Sequence, residues 1–368
     1  MKKTLVLIAV AVPTGIAVGA VDAVFGRVLL YLGAVRDAHT AWFLPFLGLI
    51  GALMAWAYKR YGAGCENGMG MVFEAGHAER EAIPLRLVPF VICATWLTHL
   101  FGGSAGREGV AVQLGAAISH RIGGWLRDAE SQRIMLIAGI AAGFSGLFGT
   151  PFAATAFAME VLTAGKLEHR ALLPAAVAAP EWSAELALEL AALGIVFGLT
   201  GAAFAFCLKR AKKLAQNRLK NPVLRALVMG VALSAVLYLL YRGRYCGLGT
   251  NLINASLAGE PIYAWDWALK LALTVLTLSA GFQGGEVTPL FSIGASLGAA
   301  LAGLLGLPAA FCAALGYAAV FGSATNTLLA PALIGAEVFG WAAAPHFFAV
   351  CALAYAVNGG RSIYSGQK

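Results

Sequence analysis

Two acidic residues, Glu108 and Glu286, stand in apolar surroundings directly beside glycine. Glu108 belongs to the run Gly-Arg-Glu-Gly at 106–109, and Glu286 follows Gly285. Each of them precedes an apolar segment that we predict to be a helix, and the free N–H groups and dipole at a helix start favour an anion. An ionised carboxylate occupies such a site in place of the anion, and a protonated one leaves it. Competition of this kind is a minimal device for exchanging anions against protons.

Two further features add to this predicted anion site. Residues 67–71 form a third candidate helix start, and Thr288 supplies a hydroxyl donor beside the amides of 287–290. A permanently ionised Glu286 would repel the anion. We therefore expect it to be protonated during part of a cycle, or to turn away and accept hydrogen bonds from backbone donors. The alternative for Glu108 and Glu286 is that each caps the helix that it precedes.

The elements that position these residues are predicted from composition. The chain has 368 residues, of which 60% are hydrophobic and 12% are charged, and its mean hydropathy is +0.78. Disorder, collagen, coiled coil and nucleic-acid modules do not fit these values. The 6 Cys lie singly in apolar stretches, which excludes a secreted disulfide scaffold. The composition predicts an all-α polytopic membrane protein.

Several predicted helices are shorter than the roughly 20 residues of a simple membrane span. The candidate helices lie near 4–33, 41–60, 83–101, 109–126, 133–148, 150–165, 186–208, 224–242, 266–281, 289–306, 309–322, 326–341 and 345–357. The short ones begin or end at glycine-rich breaks, and non-helical backbone at membrane depth is tolerated only where it is buried or lines a polar cavity. The breaks therefore predict interrupted helices that meet near the midplane.

Charge predicts the orientation in the membrane. Seven of the basic residues fall between Lys209 and Arg225, and no aromatic residue accompanies them, so we interpret this segment as a cytoplasmic loop rather than a nucleic-acid patch. Lys2 and Lys3 place the N-terminus in the cytoplasm by the same rule. The first apolar run is too long for a signal-peptide core and is predicted to be a retained helix.

An internal repeat divides the chain. The segment that contains Glu108 resembles the one that contains Glu286, and Glu160 with its neighbours resembles Glu337 with its neighbours at a nearly equal offset. The first helix starts at basic residues, whereas its counterpart 186–208 ends at basic residues. The two halves, 1–180 and 181–368, are therefore predicted to form an inverted-topology repeat within one transport domain, which is typical of transporters.

A serine hydrolase is the enzyme that the sequence offers as an alternative to a transporter. Residues 102–106 match G-x-S-x-G around Ser104, with His99 and His120 nearby. A hydrolase elbow needs a preceding β-strand, and 83–101 is predicted to be a helix. The histidines show no metal-ligand spacing. We therefore expect no enzymatic activity, no metal and no cofactor.

The residues singled out above resemble the CLC family of chloride channels and proton-coupled exchangers. The likeness is carried by the run 106–109, by the run 143–151 with Glu160, and by the element around Pro289, and it extends from about residue 5 to Tyr364. It implies a CLC-like inverted repeat and a homodimer with one pathway per subunit, whose interface would come from 150–165, 309–322 and 326–341. No cytoplasmic CBS domain is expected.

Departures from the family pattern resemble the bacterial CLC-F subgroup of fluoride/proton antiporters, which confer fluoride resistance. Met69 stands where a chloride-binding serine is expected, and Val110 replaces a proline. The resemblance implies that Glu108 is the gating, proton-carrying glutamate and that Glu286 is a second functional glutamate. The ion-binding residues that it implies are Met69, Gly106, Gly109, Val110, Thr288 and Tyr364, with Tyr355 as the weaker candidate for the tyrosine.

The physical chemistry of fluoride is compatible with this set of residues. Fluoride is small and strongly hydrated, so its site needs donors such as the Thr288 hydroxyl, and Met69 removes the donor that a serine would offer. Phe73 either lines the pathway or belongs to the core. The expected partners are fluoride, protons and the lipid bilayer of the bacterial inner membrane, with no nucleic acid. The alternative function is a CLC-type chloride/proton exchanger or a passive anion channel.

Overall fold

The computed structural model describes residues 2–62, 64–65, 67–80, 82–126, 128–162 and 180–367, and no β-strand occurs in these ranges. The α-helices are, in chain order, α1 (Lys2–Ala38), α2 (Thr40–Phe43), α3 (Leu47–Tyr61), α4 (Met69–Gly76), α5 (Leu87–Leu100), α6 (Glu108–Gly123), α7 (Ala129–Phe148), α8 (Pro151–Leu162), α9 (Ala184–Arg218), α10 (Pro222–Leu239), α11 (Thr250–Ala258), α12 (Asp266–Ala280), α13 (Val287–Leu305), α14 (Ala309–Thr325), α15 (Leu329–Phe339) and α16 (Ala344–Val357).

Several of these helices are long and apolar enough to cross a bilayer. The candidate spans in the described residues are Val6–Ala38, Thr40–Tyr61, Ala129–Phe148, Ala184–Arg218, Pro222–Leu239 and Val287–Leu305. Shorter apolar helices, among them α5, α8, α14 and α15, accompany them, and their exposed backbone ends are tolerated in a membrane only because other helices surround them. The predicted all-α polytopic membrane fold is confirmed.

Some predicted boundaries are wrong, and basic residues explain the largest error. The segment that begins at Lys209 was predicted to be a loop, but α9 continues as far as Arg218. Long basic side chains keep their charges in water while the helix extends past the apolar core, so the end of the apolar pattern does not mark the end of the helix. The first helix likewise continues to Ala38. Residues 163–165 of the predicted helix 150–165 lie outside the described residues.

Of the short helices α4 and α11, α4 is predicted only as a helix start at 67–71 and α11 is not predicted, because each is far below the length of a membrane span. They contain 8 and 9 residues respectively, and both begin directly after a glycine with positive φ, Gly68 and Gly249. Glycine adopts a positive φ with little strain because it has no Cβ. Helix α4 is nevertheless important, since it begins at Met69.

Corresponding helix pairs in the two halves approach each other closely through glycine. A Cβ on Gly115 of α6 would overlap the Gly139 carbonyl of α7, and a Cβ on Gly294 of α13 would overlap the Gly316 carbonyl of α14. Small residues allow helices to pack backbone to backbone in a membrane, where lipid supplies no hydrophobic driving force between them. The same contact therefore supports α6 and α13, the two helices that begin at the predicted anion site.

A reciprocal pair of carboxylates joins the shorter helices α8 and α15. Glu160 of α8 accepts hydrogen bonds of 2.9 Å from the backbone N–H groups of both Leu329 and Ala330, at the start of α15. Glu337 of α15 accepts bonds of 3.1 and 2.7 Å from Phe152 and Ala153, at the start of α8. Each acid thus satisfies amides that a helix start leaves free, and the exchange requires the two helices to run in opposite directions.

Candidate functional site

The two predicted anion-binding helix starts meet through a backbone bridge. Gly106 N–H donates to the Gly285 carbonyl at 2.5 Å, and Gly285 N–H donates to the Gly106 carbonyl at 2.7 Å. Each of these residues precedes its helix, α6 or α13, by two positions. A Cβ on Gly106 would lie 2.9 Å from the Gly285 oxygen, so a larger residue would force the bridge apart. The bridge brings Glu108 and Glu286 into one region of the protein.

The Glu108 carboxylate lies at the start of α13, where we predicted an anion. The Thr288 backbone N–H and the Arg107 backbone N–H each donate to Glu108 Oε2 at 3.1 Å. The Thr288 hydroxyl donates to Glu108 Oε1. The Glu108 side chain is fully buried, and the Arg107 guanidinium lies 3.5 Å from it. Glu108 therefore receives donors from the other half of the chain, in addition to any capping of its own helix.

Glu286 points away from these donors, towards the basic end of α9. Its Oε1 lies 3.7 Å from Lys212 Nζ. Its Oε2 would lie 3.7 Å from a Cβ on Gly109, which is ordinary van der Waals contact, so this carboxylate packs against the first turn of α6. We expected Glu286 to be protonated or to turn away; it turns away, and its partner is an ammonium group rather than backbone donors alone.

Met69 is the first residue of α4 and is half-buried against the apolar core. The preceding Gly68 has a φ of 46°, which favours glycine, and a Cβ there would lie 3.4 Å from Gln113 Oε1. Gln113 belongs to α6, five positions after Glu108, and its buried Oε1 has no hydrogen-bond partner among the residues that the structure describes. Helix α4 thus starts against α6, the helix that also carries Glu108.

Tyr364 is buried in the C-terminal segment and packs against α4. Its ring centroid lies 5.4 Å from that of Phe73, and the phenol interacts electrostatically with both Glu286 and Glu108. Tyr355 is half-buried on α16. The structure therefore places Tyr364 in the same region as the two glutamates. Phe73, for which the sequence allows a position in the pathway or in the core, contacts this tyrosine.

Val110 is the last of the predicted ion-binding residues. Val110 is fully buried in the first turn of α6. Because Val110 has a backbone N–H, it donates a hydrogen bond of 3.1 Å to the Arg107 carbonyl, which a proline at this position would lack. Its contribution is a turn of backbone directly after Glu108.

A buried lysine holds the loop that leads to Glu108. Lys270 of α12 donates to Ser104 Oγ at 2.9 Å and to the carbonyls of Tyr245 and Gly247 at 3.2 and 2.6 Å. The three contacts join α12 to the loop 102–106 and to the segment 245–247, and they stabilise the loop.

The hydrolase alternative requires a histidine that bonds to Ser104, and His99 has other partners. The two ring nitrogens of His99 bond to the carbonyls of Thr95 and Ala105, at 2.8 and 2.9 Å, while Ser104 Oγ bonds to Thr274. No hydrogen bond between Ser104 and a histidine occurs in the described residues. The G-x-S-x-G match at 102–106 therefore belongs to the scaffold of the Glu108 site.

Sequence analysis did not single out two charged residues of this region, Lys270 and Lys212. Lys270 interrupts the apolar run 266–281, and an ionisable residue within a membrane span is a sufficient signal to look for a partner. Lys212 carried no such signal, because it was one of seven basic residues in a segment that we predicted to be a loop. Its position depends on the extension of α9 to Arg218.

Known proteins resemble this chain over most of its length. The sequence pattern of the family described as voltage gated chloride channel matches residues 50–181 and 179–359. A chloride/fluoride channel protein of Pseudomonas syringae pv. tomato is 36% identical over 384 residues, which cover 95% of this chain and 83% of the relative. The crystal structure of a CLC-type fluoride/proton antiporter aligns with a TM-score of 0.96 and 47% identity, covering 100% of this chain and 99% of the other. A slow cyanobacterial Cl⁻/H⁺ antiporter shares the fold, with a TM-score of 0.76, 20% identity, and coverage of 98% and 96%.

Proposed function

The chain belongs to the voltage-gated chloride channel (CLC) family, and we propose that it exchanges fluoride for protons across the bacterial inner membrane and so exports fluoride. The observation that carries this proposal is the set of donors on Glu108. Backbone N–H groups and the Thr288 hydroxyl converge on its carboxylate, and these are the donors that fluoride requires. A CLC-type fluoride/proton antiporter with 47% identity supports fluoride as the anion.

The cycle follows from competition for these donors. An ionised Glu108 holds the site at the start of α13, and a fluoride ion can bind there only when that carboxylate is protonated and leaves. When Glu108 returns and releases its proton, the fluoride must leave. Fluoride and protons move in opposite directions because, in this proposal, Glu108 takes its proton from the side to which fluoride leaves and releases it towards the side from which fluoride came. In this proposal the backbone at Gly106, Gly109 and Val110 lines the ion site.

We assign two supporting roles beside Glu108. Glu286 is the second protonatable group, because it lies between Gly109 and Lys212 and thus connects the site with the basic end of α9. Tyr364 borders the site beside α4, since it contacts Phe73 and interacts with both glutamates. In this assignment Met69 borders the pathway at the start of α4.

A liposome experiment separates the proposed function from its alternative. The full chain is reconstituted, loaded with fluoride or with chloride, and followed with an ion-selective electrode and an internal pH dye. A fluoride gradient should drive protons in the opposite direction, while an equal chloride gradient should drive few. Strong chloride-driven proton movement would instead identify a chloride/proton exchanger, and fluoride flux without any pH change would identify a passive channel.

The first prediction concerns the Thr288 hydroxyl, whose partner is Glu108. Thr288→Val keeps the shape and the backbone N–H but removes one donor. A hydrogen bond to a charged group contributes about 1.5–3 kcal/mol, so fluoride binding should weaken by about tenfold or more. Isothermal titration of purified protein with fluoride measures the change. Thr200→Val is the control, because that hydroxyl bonds within α9 to the Val196 carbonyl; equal effects of the two variants would contradict the role of Thr288.

The second prediction concerns anion selectivity at Met69. Met69→Ser restores the hydroxyl donor of the chloride-type relatives, and one hydrogen bond of about 1.4 kcal/mol corresponds to a tenfold change in preference. The fluoride/chloride flux ratio in liposomes should fall by about this factor. Met229→Ser, at a half-buried methionine of α10, provides the matched control. An unchanged ratio in Met69→Ser would place selectivity elsewhere.

We further propose a homodimer of two-half subunits, 1–180 and 181–368, with a cytoplasmic N-terminus. One predicted interface element is wrong: Phe311 to Thr325 of α14 are buried within a single chain, so the segment 309–322 has little surface left for a partner. Its apolar character, which suggested an interface, serves the packing of α14 on α13. Helices α8, α15 and α16 retain exposed apolar residues, namely Phe152, Val338 and Phe348, and these support the dimer.

A further inference from the structure

One lysine of the basic end of α9 reaches the site while its neighbours face outward. The basic residues of this end are Lys209, Arg210, Lys212, Lys213 and Arg218. Lys212 Nζ lies 3.7 Å from Glu286 Oε1, and the side chains of Lys212 and Glu286 are 41% and 13% exposed. The ammonium is thus in contact with water, and the carboxylate is largely withdrawn from it. The pair therefore joins the exposed end of α9 to the buried carboxylate of Glu286.

The other charged groups near Glu286 have different partners. On α6 and the segment before it, Arg107 and Glu108 contact each other. On α12, Lys270 is held by Ser104 and two carbonyls. On α14, Tyr317 interacts electrostatically with Glu108. The C-terminal segment contributes Tyr364, which is uncharged and interacts with both glutamates. In the described part of the chain, Lys212 is therefore the cation that contacts Glu286.

We propose that Lys212 is the counter-charge of Glu286 and sets the conditions under which Glu286 gives up its proton to the water at the basic end of α9. The proposal deepens, and rests on, the proposed fluoride/proton exchange. An ionised Glu286 near an ionised Glu108 would place two negative charges where fluoride must pass, and the interaction of charges is strong in such a buried site. The Lys212 ammonium offsets one of them.

The proton step is balanced in charge. A proton that Glu108 releases adds to a carboxylate oxygen of Glu286, and the O–H bond that forms there replaces the one that breaks at Glu108. The neutral acid no longer attracts Lys212, whose ammonium keeps its three protons and moves towards the water. When Glu286 then gives its proton to a water molecule, an O–H bond of hydronium replaces the one that breaks in the acid, the carboxylate is restored and Lys212 pairs with it again. Lys212 is therefore a positioning residue that never itself transfers the proton.

The test compares three variants of the full chain in proteoliposomes. Lys212→Met removes the counter-charge, and Lys212→Arg keeps it. Lys213→Met removes the same formal charge from the next position of α9, where the side chain is exposed. An opposite charge within about 4–6 Å lowers the pKa of a carboxyl group by about one or more. In Lys212→Met the pH of half-maximal proton-coupled fluoride transport should therefore rise by about one unit, while Lys212→Arg and Lys213→Met should match the unmodified protein.

A second readout does not depend on transport. The infrared band of the protonated Glu286 carboxyl is identified by its loss in Glu286→Gln and is titrated in purified protein. Its midpoint should rise in Lys212→Met and not in Lys213→Met. If the unmodified protein exchanges no fluoride for protons but this band shifts, the proposed function is wrong and the counter-charge is supported. If exchange occurs and neither the band nor the transport profile distinguishes Lys212→Met from Lys213→Met, the inference about Lys212 is overturned.

Discussion

Replacing Glu108 with glutamine is expected to abolish proton movement and to stop fluoride transport or leave it independent of pH. The amide can still accept one hydrogen bond from Thr288, but it carries no negative charge with which to displace fluoride. It also has no acidic proton to release at physiological pH. Because both halves of the exchange use this carboxylate, loss of ionisation removes the coupling itself rather than part of the rate.

The Glu108→Gln experiment uses liposomes with opposing fluoride and pH gradients. Glu185→Gln serves as the control, because Glu185 is an exposed acid in the first turn of α9 and its loss changes the net charge by the same amount. Proton uptake driven by fluoride should fall to the level of empty liposomes in Glu108→Gln alone. Proton coupling at the unmodified rate in that variant would contradict the exchange mechanism.

A similarly large effect is expected for Glu286→Gln, which should reduce fluoride turnover about tenfold or more. The amide neither carries a proton nor pairs ionically with Lys212, which lies 3.7 Å away in the unmodified protein. A positioned proton-transfer group contributes about 10²–10⁴-fold to the rate of the step that it serves, so the loss of this group should lower turnover. A helix cap, by contrast, contributes about 1 kcal/mol to stability and leaves transport by the folded protein intact.

The two roles of Glu286 are separated by measuring stability and transport on the same sample. Thermal unfolding in detergent reports the capping contribution, and fluoride efflux per mole of folded protein reports the transport role. Glu260→Gln, at an exposed position after α11, is the control. A variant that melts earlier yet transports at the unmodified rate would reduce Glu286 to a cap and leave proton transfer to Glu108.

The sequence was sufficient for the helix starts and for the architecture. Glycine beside an acid in an apolar chain indicated both Glu108 and Glu286, because a charge at membrane depth needs a special environment. The repeat offset indicated the inverted halves before any packing was known. Both signals are local, since each depends on residues that are close together in the sequence or on one simple comparison of two segments.

The partners across the site could not be predicted in the same way. The bond between Thr288 and Glu108 joins residues 180 positions apart, and it depends on the backbone bridge that aligns two helix starts. Lys212 reaches Glu286 because of the rotation of α9 about its axis, which a row of basic residues does not determine. Tyr364 was located only through the resemblance to a family, since a tyrosine near a chain end has no distinctive pattern.

The pair of backbone hydrogen bonds between Gly106 and Gly285 restricts which parts of the protein can move during transport. Each half of the chain supplies one segment of this contact, so tilting the halves apart would break both bonds and leave the buried backbone groups without partners. The two bonds therefore favour a fixed distance between the starts of α6 and α13. We expect opening and closing to depend on the torsion angles of a few side chains rather than on separation of the two halves.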